Sequence, residues 1–257
     1  MLKLAITGKG GVGKTTLAAL LAHVYTERGQ KVLAIDADPA MGLASAAGVP
    51  LDQAMAITPV ADMEDLIYER TGARKGEIGG FFKLNPRVDD IPERFAVEQD
   101  GVRILTMGTV KSGGTGCLCP ENALLRSLVT HLLLRRDEVL ILDMEAGVEH
   151  LGRGTAGAVD AFVVVVEPGR RSLQTAQSIR SLAGDLGIEQ IFVVGNKIAA
   201  DSDEAFIVEQ LPGFEVLGFL PTSREAIEAD RRGVAVFDLA PELVERARAI
   251  VDRLAAL

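Results

Sequence analysis

The sequence predicts an α/β protein whose core is an open, doubly wound, mostly parallel sheet flanked by helices. Short aliphatic runs without polar alternation recur along the chain, which is typical of strands buried on both faces. Amphipathic stretches with helical spacing separate these runs, so strand and helix alternate. A glycine-rich turn stands between the first aliphatic run and the first helical stretch. Together these observations favour right-handed strand–helix–strand crossovers.

The individual elements follow from the same patterns. The predicted strands are residues 2–7, 31–36, 102–107, 139–143, 162–166, 191–195 and, more weakly, 216–220. The predicted helices are residues 15–28, 121–136, 173–186 and 241–257. The segment from about 49 to 100 has a poor strand pattern, and we interpret it as helices and loops inserted into a single domain spanning 1–257.

Composition limits the classes of partner. The net charge of -9, with basic residues scattered among more numerous acids, disfavours nucleic acid as the main partner. No apolar run reaches the roughly 18 residues of a membrane span, and Gly8 and Lys9 interrupt the first run too early for a signal peptide. We therefore expect a cytoplasmic protein that binds neither nucleic acid nor membrane.

The glycine-rich turn matches the phosphate-binding pattern G-x-x-x-x-G-K-[ST]. It consists of Gly8, Lys9, Gly10, Gly11, Val12, Gly13, Lys14, Thr15 and Thr16. Between a strand and a helix, such a loop directs backbone N–H groups and the helix N-terminus at an anion. We expect Lys14 to neutralise the β- and γ-phosphates, and the Thr15 hydroxyl to bind Mg²⁺. The turn therefore predicts binding of ATP or ADP with Mg²⁺.

Acidic residues follow two other predicted strands, at the sheet edge where ligands bind in this fold class. Asp38 belongs to an Asp-Ala-Asp-Pro string after the second strand, and Asp143 ends the fourth strand in the manner of a Walker B motif. We expect Asp143 to hold Mg²⁺ through water, and the Gly147 backbone N–H to distinguish ATP from ADP. The roles of Glu145 and His150 stay open.

The two cysteines, Cys117 and Cys119, stand two residues apart after a glycine-rich segment. In an extended segment their side chains point to the same side, and the helix that begins near Pro120 favours the Cys119 thiolate. Two thiolates are half of a four-ligand site, and a two-fold dimer would supply the other half. Four sulfurs suit Zn²⁺, Ni²⁺ or an iron–sulfur cluster.

The string from Lys9 to Thr16 resembles the deviant Walker A motif of the ATPases that include MinD, ParA, ArsA and the nitrogenase iron protein. The resemblance implies that Lys9 crosses a dimer to the partner's nucleotide, like an arginine finger supplied in trans. It also implies that Asp38 orients the attacking water. Adenine contacts are implied for Asn196 and the adjacent Lys197, and a base-pocket wall for Pro221 and Thr222.

Residues 116–121 and 143–155, with 85–92 and 167–169, narrow the resemblance to the CooC/AcsF group of maturation ATPases. It implies an ATP-driven nickel chaperone, whose homodimer holds nickel through Cys117 and Cys119 of each subunit, with zinc as the alternative metal. The implied client is an apo carbon monoxide dehydrogenase or acetyl-CoA synthase. Two alternatives stay open: a positioning or partition ATPase resembling MinD or ParA, and an iron–sulfur carrier ATPase.

Overall fold

The structure is a computed structural model that describes residues 2–74, 81–108, 119–135, 138–146 and 159–256. Its strands are β1 (Lys3–Thr7), β2 (Val32–Ala37), β3 (Val97–Gln99), β4 (Val102–Thr106), β5 (Val139–Met144), β6 (Ala161–Val166), β7 (Ile191–Ile198) and β8 (Glu215–Pro221). Its helices are α1 (Lys14–Glu27), α2 (Leu43–Ala46), α3 (Leu51–Ala56), α4 (Glu64–Thr71), α5 (Ile91–Phe95), α6 (Pro120–Arg135), α7 (Arg170–Asp185), α8 (Asp201–Gln210), α9 (Arg224–Arg232), α10 (Val236–Leu239) and α11 (Pro241–Ala255), with a 3₁₀ turn at Val60–Asp62.

Within these ranges the strands form one eight-stranded sheet in the order β3-β4-β2-β5-β1-β6-β7-β8. In this sheet order, all neighbouring strands from β4 through β2, β5, β1, β6 and β7 to β8 pair in parallel. Strand β3 pairs with β4 in the antiparallel direction. Every residue of β2, β5 and β6 is buried, as expected for strands covered on both faces. The predicted doubly wound, mostly parallel sheet is confirmed.

Helices cover both faces of the sheet and divide the core into two layers. In β2, Leu33 and Ile35 face the layer formed with α6 and α7, whereas Val32 and Ala34 face the layer formed with α1 and α11. The alternation follows from the two-residue period of a strand. The largest fully buried side chains are aliphatic, apart from Phe162, which agrees with the low aromatic content.

Helix α11 packs its apolar face inside the molecule. Leu243, Ala247, Ile250 and Leu254 are buried, and the helix contacts α1 and β8. The hydrophobic face of this amphipathic helix is therefore part of the core. Of the helices in the described ranges, none is both long and apolar enough to cross a bilayer.

The segment between about 49 and 100 differs in one respect from the prediction of helices and loops. It contains the helices α3, α4 and α5, but it ends in the short strand β3. Asp100 and Gly101 join β3 to β4 with φ angles of 48° and 77°, the left-handed turn that matches the twist of an antiparallel pair. The prediction was wrong at Val97–Gln99 because three partly exposed residues give almost no hydrophobic pattern.

Candidate functional site

The predicted phosphate loop and acidic residues meet at one edge of the sheet. The loop follows β1, Asp38 follows β2, and Asp143 lies near the end of β5. Strand β5 lies between β2 and β1, and Asp143 is in register with both Asp36 and Ile6. Because the carboxyl ends of parallel strands share an edge, these side chains converge there.

The loop between β1 and α1 can be built only with glycine at its two tightest points. A Cβ on Gly8 would lie 2.4 Å from the carbonyl oxygen of Val165, and one on Gly13 would lie 2.1 Å from Asn196 Nδ2. Gly13, which has a φ of 97°, immediately precedes α1. The loop is therefore packed against the ends of β6 and β7, while its backbone leads directly into the helix N-terminus that would receive an anion.

Lys14 is buried and paired with the predicted water-orienting residue. Its side chain is only 6% exposed, and its Nζ lies 3.2 Å from Asp38 Oδ2. A buried ammonium needs a nearby negative charge, and Asp38 supplies it. The structure thus brings together two residues that the sequence placed in the same reaction.

Thr15 and Asp143 form the second pair of the site. Thr15 Oγ1 donates a 2.7 Å hydrogen bond to Asp143 Oδ2, whereas Asp143 Oδ1 is buried with no hydrogen-bond partner among the described residues. An orphaned buried carboxylate oxygen beside a hydroxyl is a donor set that suits a hard cation. The residues present therefore fit Mg²⁺, held by Thr15 and, directly or through water, by Asp143.

Asp36 fixes the backbone of the segment that contains Asp38. Its carboxylate accepts hydrogen bonds from the backbone N–H groups of Asp38, at 3.2 Å, and Leu43, at 2.9 Å. Burial raises the pKa of Asp36 to about 6, although these two hydrogen bonds act in the opposite direction. Burial likewise raises the pKa of Asp143 to about 7, opposed by the Thr15 hydrogen bond and increased by the neighbouring Asp36. Burial therefore disfavours the ionised form of both carboxyl groups.

Asn196 and Lys197 lie at the end of β7, which continues three residues beyond the predicted strand. Asn196 Nδ2 donates to the Val12 carbonyl at 2.7 Å, and Lys197 Nζ donates to the Gly11 carbonyl at 2.6 Å. Both side chains therefore support the phosphate loop from beneath. Pro221 ends the neighbouring strand β8 and Thr222 follows it, with the Thr222 N–H donating to the Ile198 carbonyl at 2.9 Å.

Lys9 is held by a residue for which sequence reasoning gave no role. Its Nζ lies 3.5 Å from Glu167 Oε1, and Lys197 Nζ lies 3.3 Å from Glu167 Oε2. Glu167 directly follows β6, and in the sequence it belongs to the 167–169 string that resembles the CooC/AcsF group. The available signal was an acid after a buried strand that neighbours the strand of the phosphate loop.

Cys119 immediately precedes α6 and is buried. The helix begins at Pro120, as predicted, and its first turn is closed by the Ala123 N–H, which donates to the Cys119 carbonyl at 3.0 Å. The thiol thus belongs to the residue that immediately precedes the first turn of α6. Cys117, Gly147 and His150 lie outside the described residues, so their predicted roles stay predictions.

The sequence is similar to characterised and uncharacterised nucleotide-binding proteins. The family model described as CbiA, the CobQ/CobB/MinD/ParA nucleotide binding domain, matches residues 3–237. The carbon monoxide dehydrogenase accessory protein CooC of Rhodospirillum rubrum is 49% identical over 253 residues, which cover 98% of this chain and 96% of that protein. An uncharacterized ATP-binding protein of Methanocaldococcus jannaschii is 45% identical over 90% of each chain.

Solved structures show the same fold at low sequence identity. A chain of the Aquifex aeolicus MinC:MinD cell division protein complex superposes with a TM-score of 0.72 at 19% identity, covering 100% of this chain and 96% of its own. A ParA family ATPase from Chlorobium tepidum gives a TM-score of 0.69 at 17% identity, with complete coverage of both chains. At these identities the likeness supports the fold alone.

Proposed function

Because this chain belongs to the CobQ/CobB/MinD/ParA family of nucleotide-binding proteins and is a CooC-type ATPase, we propose that it is an ATP-dependent nickel chaperone. Its client would be an apo carbon monoxide dehydrogenase or the related acetyl-CoA synthase. The observation that carries the proposal is the buried Cys119 at the start of α6, in a chain 49% identical to a carbon monoxide dehydrogenase accessory protein.

Nucleotide binding begins with an exchange of partners at Lys14. The phosphates of ATP enter the loop at the α1 N-terminus and pair with the Lys14 ammonium in place of Asp38. Asp38, released from the ion pair, is then able to orient water for attack on the γ-phosphate. Thr15 and Asp143 would hold Mg²⁺, which supplies neutralisation of the phosphate charge.

The ATPase step needs a second copy of the chain. Lys9 is partly exposed on the loop, and in the proposed homodimer it reaches the nucleotide of the other subunit, where it stabilises the charge of the transition state. The same closure would bring Cys117 and Cys119 of both subunits together. Four thiolates then hold the transported nickel, with zinc as the competing ion.

Coupling between the two sites follows from their dependence on one closed dimer. A ligand shifts an equilibrium only by the difference in its affinity for the two states. ATP and nickel both favour the closed dimer in this scheme, so each should tighten binding of the other by the same factor. Hydrolysis removes the nucleotide contribution and lets the dimer release the metal to the client.

Anaerobic nickel titration with and without ATP tests the proposal. The expected result is one nickel per two chains, with thiolate charge-transfer absorption and the mass of a dimer. Cys119→Ser and Cys117→Ser should each weaken nickel binding and leave ATP binding intact, which controls for folding. A protein that stays monomeric under every combination of ATP and nickel, or that binds nickel equally well without the cysteines, would contradict the proposal.

The burial of the α11 apolar face disfavours the alternative of a membrane-bound positioning ATPase acting through that helix. Surface-binding helices expose an apolar face beside a cationic one. ATP-dependent co-sedimentation with liposomes or DNA would instead support a positioning or partition ATPase. An oxygen-sensitive brown protein with cluster absorption would instead favour the iron–sulfur carrier.

A further inference from the structure

Glu167 joins two lysines that have different tasks. One carboxylate oxygen faces Lys9 Nζ at 3.5 Å, and the other faces Lys197 Nζ at 3.3 Å. Lys197 is also tied to the phosphate loop through its 2.6 Å hydrogen bond to the Gly11 carbonyl. A single carboxylate therefore connects the ends of β6 and β7 to the loop residue that resembles the trans-acting lysine.

The backbone beneath Glu167 is held in place. Its N–H donates to Ser172 Oγ at 3.1 Å, its carbonyl accepts from the Gly169 N–H at 2.7 Å, and Ser172 is buried in the first turn of α7. The carboxylate therefore stands on a fixed turn. The loop on the other side has room, since a Cβ on Gly10 or Gly11 would meet nothing within 4 Å.

This arrangement sets two demands on one ammonium. In the proposed dimer, the Lys9 ammonium would leave Glu167 of its own subunit for the phosphates of the partner's nucleotide. Lys197 lowers the free-energy cost of separating Lys9 from Glu167, because Glu167 keeps Lys197 as a partner when Lys9 leaves. A carboxylate left with no cation would oppose release more strongly.

We propose that Glu167 is a latch, meaning an acidic residue that pairs with Lys9 of its own subunit while the subunit is single. When the dimer closes, Lys9 leaves and Glu167 stays paired with Lys197 only. The inference rests on the proposed ATP-dependent homodimer and adds a restraint on its formation. Glu167 is thereby a positioning residue that acts through Lys9 and stabilises the open state. It keeps the trans-acting lysine withdrawn until nucleotide in a second subunit competes for it.

The size of the restraint follows from the exposure of the pair. The Lys9 side chain is 40% exposed, and ion pairs at that exposure change an equilibrium by about two- to fivefold. Closure releases one such pair in each subunit. Removing the latch should therefore lower the dimer dissociation constant by the square of this factor, about four- to 25-fold.

The test compares Glu167→Gln with Glu209→Gln, which removes one exposed acidic charge from α8. ATP turnover per subunit is measured against protein concentration, and dimer mass is measured with a non-hydrolysable ATP analogue. Glu167→Gln should reach half-maximal turnover at a lower protein concentration, by about four- to 25-fold, with the same plateau. Glu209→Gln should follow the unsubstituted chain.

Amine labelling of the nucleotide-free protein, followed by mass spectrometry, tests the pair itself. Lys9 should react faster in Glu167→Gln than in the unsubstituted chain, and at the ordinary rate in Glu209→Gln. An unchanged labelling rate, an unchanged half-maximal concentration or a lowered plateau would overturn the latch, the last by showing that Glu167 is needed in the closed dimer. Failure of the unsubstituted chain to associate with ATP would instead overturn the proposed dimer.

Discussion

Replacing Asp143 by Asn tests how the acidic pocket is held in the subunit without nucleotide. Asn keeps an oxygen that can accept the 2.7 Å hydrogen bond from Thr15, and it has almost the same shape. What it removes is a carboxyl group that must ionise while fully buried. The substitution therefore separates the electrostatic cost of the site from its packing.

The magnitude follows from the pKa of Asp143, which desolvation raises from 3.8 to about 7. At about 1.4 kcal/mol per pKa unit, a rise of about three units costs the folded protein roughly 4 kcal/mol once the carboxyl is ionised. Below the unfolded-state pKa of 3.8 the carboxyl is neutral in both states and the folded protein keeps its full stability. That stability is lost as the pH rises through the folded-state pKa of about 7. The Asn NH₂ would occupy the place of the unpartnered Oδ1, and an unsatisfied buried donor costs about 1–3 kcal/mol. The net gain for Asp143→Asn is therefore about 1–3 kcal/mol above pH 7.

Urea unfolding at about pH 5 and about pH 8, without nucleotide or metal, measures the difference. Asp143→Asn should be more stable than the unsubstituted chain at the higher pH, and the gap should close or reverse at the lower pH. Asp185→Asn, at the exposed end of α7, controls for the loss of one acidic side chain. A variant that is destabilised equally at both pH values would refute the reasoning. With Mg²⁺ and ATP, the same variant should lose both hydrolysis and the stabilisation that nucleotide gives.

Two further predictions concern the phosphate loop. Gly13→Ala should abolish ATP binding and destabilise the fold by about 1–3 kcal/mol, because the new Cβ meets Asn196 Nδ2 at 2.1 Å in a left-handed backbone. Nucleotide titration and urea unfolding measure this, and the cost should be smaller in an Asn196→Ala background; an equal cost there would refute the collision. Lys9→Ala should bind ATP normally but lose about 10³-fold or more in turnover, as expected for a cation supplied in trans. Full turnover in that variant, measured by phosphate release, would exclude the trans role.

The sequence was informative about the fold where burial is complete. Strands β5 and β6 have every residue buried, and such strands appear as unbroken aliphatic runs. None of the three residues of β3 is buried, and within the described residues the strand pairs only with β4, so it shows no hydrophobic pattern. The Asp100-Gly101 pair was the available signal, because this dipeptide favours a two-residue hairpin turn. Turn chemistry would have located the strand where periodicity could not.

Some residues of the candidate site could be predicted from local motifs, whereas others depend on which strands are neighbours. Local motifs located Lys14, Thr15 and Asp143, because a phosphate loop fixes the order of its residues along the chain. The contacts made by Glu167 and Lys197 depend on β6 and β7 being neighbours, with the phosphate loop lying over their ends. Asn196 shows the same limit, since its 2.7 Å hydrogen bond to the Val12 carbonyl spans 184 residues of chain. Strand order is needed before such contacts can be inferred.

The ion pairs Lys14–Asp38 and Lys9–Glu167 within one subunit explain why binding of phosphate, metal and the partner subunit should be coupled. Asp36, Asp38 and Asp143 are near Lys14, so carboxylates outnumber this buried cation. Adding the phosphates of ATP without Mg²⁺ would increase that excess of negative charge. Mg²⁺ between Thr15 and Asp143 would offset part of that excess, and pairing of Lys14 with phosphate would free Asp38. Lys9, the cation that would complete the site in the proposed dimer, is paired with Glu167 of its own chain.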